Sequence, residues 1–185
     1  IRLLPRHYFV PKDFESKAYE DNAIPIGNEQ TISQPLTVAI QTQLLEVNKR
    51  EKILEIGTGS GYQAAILGLL QARVYTIERQ KTLYQKSKAL LHQLQVGNIR
   101  CYHKDGYLGL PEFAPFDKII VTAGAATIPE SLLNQLKVGG VMVVPVGAGT
   151  QKMKRLIKKS DSEYVEEDWG DFRFVPFLRG INNLG

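Results

Sequence analysis

Seven consecutive residues, Glu55-Ile56-Gly57-Thr58-Gly59-Ser60-Gly61, carry the sharpest chemical signal in the chain. They follow a short apolar run and precede a helical pattern, so the glycines form a turn where backbone can approach a ligand closely. A dinucleotide fingerprint G-x-G-x-x-G would place its third glycine at position 62. Tyr62 stands there, and the third glycine, Gly61, comes one residue early. Glu55 would lie badly beneath a pyrophosphate and suits a cationic group such as an amino-acid ammonium. Glu78 comes 21 positions after Gly57, at the end of a second strand, where a carboxylate accepts both hydroxyls of a ribose. Asp105-Gly106 follows a third strand, where an acid can take an adenine amino group. Each acid alone reads as a solvated strand end. Together they describe an adenosine ligand that bears an amino acid and no phosphate.

Such residues need strand ends to hold them. From Glu51 the pattern alternates: strands at Lys52–Ile56, Arg73–Glu78, Ile99–His103, Phe116–Val121 and Val141–Val146, with helices at Tyr62–Gln71, Lys81–Gln95 and Ile128–Leu136. Lys137–Gly140 reads as a turn, and two further strands fall at Lys154–Lys158 and Tyr164–Val175, in either order. Alternation of this kind predicts an α/β fold, a doubly wound, Rossmann-like sheet of about seven mostly parallel strands flanked by helices. Its ligand belongs beyond the carboxyl ends of the strands, after Ile56, Ile77, His103 and Val121. The first third is different. Pro5, Pro11, Pro25 and Pro35 interrupt any long element, and the stretch reads as an irregular covering segment, with a helix starting near Gln34-Pro35.

The 185 residues suit one domain: 1–50 as the covering segment, 51–150 as the ligand-binding core, 151–185 as terminal strands. One cysteine makes no internal disulfide, and one cysteine with three histidines offers no zinc-type cluster, so no metal is expected. No apolar run approaches the roughly 20 residues of a membrane span. With no secretory signal at the start, a cytoplasmic protein is the default. The net charge of +4 arises from 23 basic and 19 acidic residues, thinly spread. The basic stretch Lys152–Lys159 alternates with apolar residues and reads as a strand with one solvated face, its lysines blunting an edge. No aromatic RNA-binding motif accompanies it, so nucleic acid is not an expected partner. His7, His92 and His103 read as structural or surface residues, Cys101 as a small packing residue, and Trp169 as an anchor for the tail.

The acid followed by G-x-G-x-G resembles the class I S-adenosylmethionine-dependent methyltransferases. The resemblance narrows at Pro5–Pro11, Ala18–Gly27, Gln30-Thr31-Ile32-Ser33-Gln34-Pro35, Leu54–Tyr62, Asp105-Gly106-Tyr107, Ala114–Asp117 and Leu136–Gly140 leading to Pro145-Val146-Gly147. All of these are similar to the protein-L-isoaspartate O-methyltransferases, over nearly the whole chain, and the Thr-Ile-Ser-x-Pro block is specific to them. The resemblance implies methyl transfer from S-adenosylmethionine to the free α-carboxylate of L-isoaspartyl residues in damaged proteins and peptides. The ester then closes to a succinimide. It implies S-adenosylmethionine as cofactor, S-adenosylhomocysteine as product, and a monomer with no obligate protein partner. By residue, it implies Ser33 as the active-site serine. It implies cofactor contacts at Gln30, Thr31, Ile32, Glu55, Gly57, Thr58, Gly59, Glu78, Asp105, Gly106 and Gln151, and substrate contacts at Ile24, Pro25, Thr31 and Ser33. Val38 stands where some members have a histidine. Ser33 also reads as a helix N-cap ahead of Pro35.

A methyltransferase of a small molecule or RNA would share Glu55–Gly61 and Glu78 but has no use for Thr31–Pro35. An RNA base methyltransferase would also carry an Asn/Asp-Pro-Pro-aromatic motif after the fourth strand, where this chain has Thr122-Ala123-Gly124-Ala125-Ala126. A nicotinamide oxidoreductase is disfavoured by Tyr62. A non-catalytic binding module would show cofactor affinity without turnover.

Overall fold

The computed structural model describes residues 4–183. Its centre is a seven-stranded sheet in the order β5-β4-β3-β6-β7-β8-β9. The strands are β3 (Lys52–Ile56), β4 (Arg73–Glu78), β5 (Asn98–His103), β6 (Phe116–Val121), β7 (Leu136–Val146), β8 (Gln151–Lys158) and β9 (Tyr164–Phe172). β5, β4, β3, β6 and β7 run parallel, and β8 and β9 close the sheet antiparallel. The expected doubly wound, mostly parallel sheet is what forms. Central strands are buried almost end to end, as strands covered on both faces must be.

Alternation along these strands sorts the core into two layers. Ile53, Val74, Ile120 and Val143 pack with Val38 and Leu45 of α1 (Pro35–Leu45) and Ala64, Ala65 and Leu67 of α2 (Tyr62–Leu69). Leu54, Ile56, Ile77, Ile119 and Val121 pack the other way, against Leu110, Phe116 and Leu132. Leu91 of α3 (Lys81–Leu94) joins the first layer.

Five local expectations need correction. The first third is not wholly irregular. It contains 3-10 turns at Arg6–Phe9 and Lys12–Lys17 and a hairpin of β1 (Ile24–Gly27) and β2 (Gln30–Ile32). Its tip residues Asn28 and Glu29 both have positive φ, 53° and 57°, as a tight two-residue hairpin turn demands. Strands of four and three residues are too short to show periodicity. The helix over Ile128–Leu136 shrinks to one turn, α4 (Glu130–Leu133). The Gln135 side chain ends it by accepting from Leu110 N–H and donating to the carbonyls of Leu108 and Ser131. β7 begins directly at Leu136, so Lys137–Gly140 lies within the strand.

β8 is longer than expected and interior rather than an edge: it starts at Gln151, and β9 lies outside it. Two of its cations are buried because they have partners. Lys158 donates to the carbonyls of Leu133 and Leu136, and Arg155 to that of Leu44 while pairing with Glu46 and Glu167. Trp169 anchors nothing: it is 52% exposed on β9, with its indole N–H on Glu167.

Candidate active site

From β3 the chain winds outward to β4 and β5, then returns to β6 on the other side of β3. The reversal opens a crevice above the carboxyl ends of β3, β4 and β6, where doubly wound sheets take their ligands. The glycine turn fills its floor. The N–H groups of Gly57 and Thr58 both donate to the carbonyl of Ile77, at 2.9 and 3.1 Å. On the other side Thr122 Oγ1 donates to the carbonyls of Gly57 and Ile56, at 2.7 and 2.9 Å. Gly57 has φ +96°, and a Cβ there would lie 2.5 Å from Thr122 Oγ1. The turn is thus pinned between the ends of β4 and β6 in a shape only glycine adopts without strain.

Glu78 ends β4 beside this turn. Its Oε2 accepts the N–H of Gly59 at 2.9 Å and its Oε1 that of Gln80 at 2.8 Å. Burial pushes its pKa up, and the N–H groups of Gln80 and Gly59 pull the other way. Each oxygen keeps a lone pair for a ligand hydroxyl. Glu55 is placed differently. It is fully buried beneath the turn, where Thr76 Oγ1 donates to its Oε2 at 2.6 Å and Thr58 reaches Thr76 at 2.6 Å. Burial, with a smaller contribution from nearby Glu78, raises its pKa to about 8 despite the Thr76 bond.

The N-terminal segment folds over the crevice. The β1–β2 hairpin covers the turn, with Ile26 Cδ1 3.5 Å from where a Cβ on Gly59 would sit. Asn28 at its tip donates to Thr82 Oγ1 on α3 at 3.0 Å. β2 delivers Thr31, Ile32 and then Ser33 to the rim. Ser33 is not the helix cap: Gln34 takes that position, and Asp21 Oδ1 accepts the Leu36 N–H at 2.9 Å from across the fold. The Ser33 hydroxyl makes no hydrogen bond to another described residue, while its carbonyl accepts from Arg6.

Two adjoining hollows result. The larger is lined by Thr31, Ile32, Ser33, Thr58, Gly59 and Tyr62, with Gln41, Gln63, Thr122 and Val175. The smaller is lined by Ile56, Ile77, Arg79, Gly106, Phe177 and Leu178. Gln30, Gly57, Glu78 and Ala123 line both. Most residues singled out in the sequence therefore meet here, and five do not line either hollow. Glu55 is beneath the floor. Ile24 is core, and Pro25 faces outward on β1. Asp105 turns to the chain around it, each oxygen accepting one N–H, from Tyr107 and Gly180 at 2.9 and 2.7 Å. Gln151 is buried against Gly124, donating to Gly149 O and accepting from Phe174 N–H.

The matches with known proteins agree with this crevice. Residues 1–181 match the family model of protein-L-isoaspartate(D-aspartate) O-methyltransferase (PCMT). The chain belongs to this family. A protein-L-isoaspartate O-methyltransferase of Christiangramia forsetii is 55% identical over 98% of this chain and 85% of its own. One of Dictyoglomus thermophilum is 51% identical over 97% and 81%. A solved protein-L-isoaspartate O-methyltransferase superposes with TM-score 0.86 at 31% identity, covering 97% of this chain; the chain spans 60% of that longer one. A beta-aspartate methyltransferase of Plasmodium falciparum, in complex with S-adenosyl-L-homocysteine, superposes with TM-score 0.83 at 25% identity over 94% and 85%.

Residues near the C-terminus, which carry no site motif, complete the smaller hollow. The tail returns over the smaller hollow: Gly124 N–H donates to Val175 O, and Phe177 N–H to Gly124 O. Phe177 stacks on Tyr107 at 4.0 Å between centroids. Nothing periodic marks this strap, and its aromatic spacing was the one available signal. The site fits S-adenosylmethionine on its own geometry. Glu78 presents acceptors at a strand end, and close packing bars a side chain at Gly106, where a Cβ would meet Ile56 at 2.5 Å and Phe177 at 3.0 Å. No group of three or more His, Cys, Asp or Glu among the described residues is placed to hold a metal.

Proposed function

We propose that the family's reaction takes place where the two hollows meet. The adenosine half of S-adenosylmethionine would lie under Phe177 and its methionine half beneath the β1–β2 hairpin. The reaction is methyl transfer to the free α-carboxylate of L-isoaspartyl residues, giving an ester that closes to a succinimide. That carboxylate, with an ordinary pKa near 4, is ionised at neutral pH and needs no general base. S-adenosylmethionine supplies the methyl group on a cationic sulfonium. The chain's part is placement and exclusion of water, for which intramolecular models allow about 7–11 kcal/mol.

Glu78 holds the ribose hydroxyls. The hydroxyl of Ser33, helped by Thr31, donates to one oxygen of the substrate carboxylate and leaves the other free to attack. The observation that carries this reading is that Ser33 and Glu78 line one hollow, Ser33 from the covering segment and Glu78 from the sheet. The test is Ser33→Ala. Turnover of an isoaspartyl peptide should fall at least tenfold while S-adenosylhomocysteine affinity changes less than twofold. Unchanged turnover would remove Ser33 from the mechanism.

The whole chain acts as one methyltransferase domain, with 1–50 covering the site, 51–150 forming the cofactor core and 151–185 completing the sheet. Damaged proteins and peptides are its partners. Nucleic acid is not: the basic run of β8 is spent on β9, through Lys152–Asp171, Lys154–Glu166 and Arg155–Glu167 pairs. It works as a monomer in the cytoplasm. Among the described residues no helix is long and apolar enough to cross a membrane.

A further inference from the structure

The 3-10 turn Arg6–Phe9 divides its side chains. Arg6 and Phe9 are buried, and Phe9 meets Tyr62 edge-on with ring centres 5.2 Å apart. His7 is half-buried and Tyr8 exposed, and beside them stands a third ring, Tyr19, just past the second turn. His7 Nδ1 hydrogen-bonds the Tyr19 hydroxyl at 2.7 Å. The His7 ring lies edge-on to both tyrosines, with centres 4.5 Å from Tyr8 and 5.9 Å from Tyr19. Tyr19 is nonetheless 64% exposed and Tyr8 53%. Holding two solvent-facing rings through a histidine costs side-chain freedom that a plain surface has no need to give up.

This trio borders the rim that carries Ser33. Residues 18–21 and 33–36 run side by side and are tied three times. Arg6 bridges the carbonyls of Ala18 and Ser33, Gln34 Nε2 donates to the carbonyl of Asp21 at 2.9 Å, and Asp21 Oδ1 accepts the Leu36 N–H. Tyr19 falls between the Ala18 and Asp21 ties. Burial raises the Tyr62 pKa and Tyr19 adds to it, against Arg6, so the Tyr19 ring lies near a wall of the larger hollow. Successive residues of an extended peptide advance about 3.3–3.6 Å, so rings this close to Ser33 can be reached from roughly two to four positions away.

We propose that Tyr8, His7 and Tyr19 form a platform for an aromatic side chain of the substrate, about two to four residues from its isoaspartyl residue. The inference rests on the reading of Ser33 as the residue that holds the substrate carboxylate. Rings already ordered lose little freedom when another ring arrives, and aromatic pairs add to what burial alone contributes. Because methyl transfer itself concerns only the carboxylate, the platform grades damaged sites by their neighbours and excludes none.

The test uses isoaspartyl peptides with phenylalanine, lysine or alanine placed at those positions on either side, and follows methyl transfer at saturating S-adenosylmethionine. In the parent, phenylalanine at one such position should give a KM about fivefold below that of alanine with kcat unchanged, the scale of one aromatic contact. Tyr19→Ala should bring the KM of the phenylalanine peptide up to that of the alanine peptide. Tyr19→Phe, which keeps the ring, should retain most of the difference, and His7→Ala, which frees both rings, should lose part of it. An equal effect of Tyr19→Ala on both peptides would make the ring a support for the covering segment only and overturn the proposal. So would a parent without preference, or one that favours lysine, which would mark an electrostatic site in place of an aromatic one. No methyl transfer to any isoaspartyl peptide would bring down the reading of Ser33, and the platform with it.

Discussion

The guanidinium of Arg6 donates to the carbonyl of Ser33 at 2.7 Å and, through Nε, to that of Ala18 at 2.8 Å. It is 1% exposed and lies 4.9 Å from the ring centre of Tyr62, which lines the same hollow as Ser33. One side chain thus joins the first turn of the covering segment, the end of the second and Ser33. Arg6→Met should destabilise the fold by about 2–4 kcal/mol in urea unfolding, since two charge-assisted bonds leave buried carbonyls behind. Arg6→Lys should recover only part, because an ammonium lacks the planar fork that spans both carbonyls. A loss under about 1 kcal/mol in Arg6→Met would show that the clamp contributes little.

Glu78 stands at the junction of the two hollows with both oxygens already receiving N–H groups. Glu78→Gln puts an NH2 against one of those N–H groups, disturbing the glycine turn as well as the ribose contact. S-adenosylhomocysteine affinity should fall at least tenfold by calorimetry, with little change in peptide KM at saturating cofactor. Unchanged affinity would contradict the ribose assignment.

Two glycines separate backbone strain from crowding. Gly57 and Gly139 both have positive φ, but a Cβ on Gly57 meets Thr122 Oγ1 at 2.5 Å while one on Gly139 meets nothing within 4 Å. Gly139→Ala should cost about 1 kcal/mol, the strain of a left-handed residue alone. Gly57→Ala should cost more in thermal unfolding and also lower cofactor affinity, since Thr122 must move off the turn. Equal effects of the two would show that the close approach does not matter.

Glu55 gives the stability a pH dependence with a defined sign. Its ordinary value is 4.5 and burial raises it to about 8 in the fold. Between those values the folded protein binds a proton that the unfolded chain does not, so stability falls as pH rises. The contribution is fully present below about pH 4.5 and is lost by the time the pH passes about 8. Glu55→Gln, close in shape to the protonated acid, removes this slope. Its melting temperature should exceed the parent's at pH 9 and approach it at pH 5, with S-adenosylhomocysteine affinity retained. A variant that melts lower at pH 9 would contradict a buried neutral acid.

Much of this was legible in the residues, for reasons that differ from place to place. β3, β4 and β6 carry apolar residues on both faces (Ile53 and Leu54, Val74 and Tyr75, Ile119 and Ile120), as a sheet with both faces covered requires. Gly57–Gly61 and Glu78 announced themselves because a ligand at strand ends demands glycines and an acid at that spacing. Contacts made at long range were not legible. Asp21 caps a helix that starts at Pro35, and Arg6 reaches Ser33 across 27 positions. Glu55 misled for a related reason: side-chain direction on β3 decides whether an acid faces ligand or core, and the core face won.

The most direct measurement is methyl transfer from labelled S-adenosylmethionine to two peptides that differ only by L-aspartate or L-isoaspartate at one position. Base-labile label should enter the isoaspartyl peptide alone, and Ser33→Ala should reduce it at least tenfold with S-adenosylhomocysteine still bound. Label in both peptides, or in neither while the cofactor binds, would contradict the account.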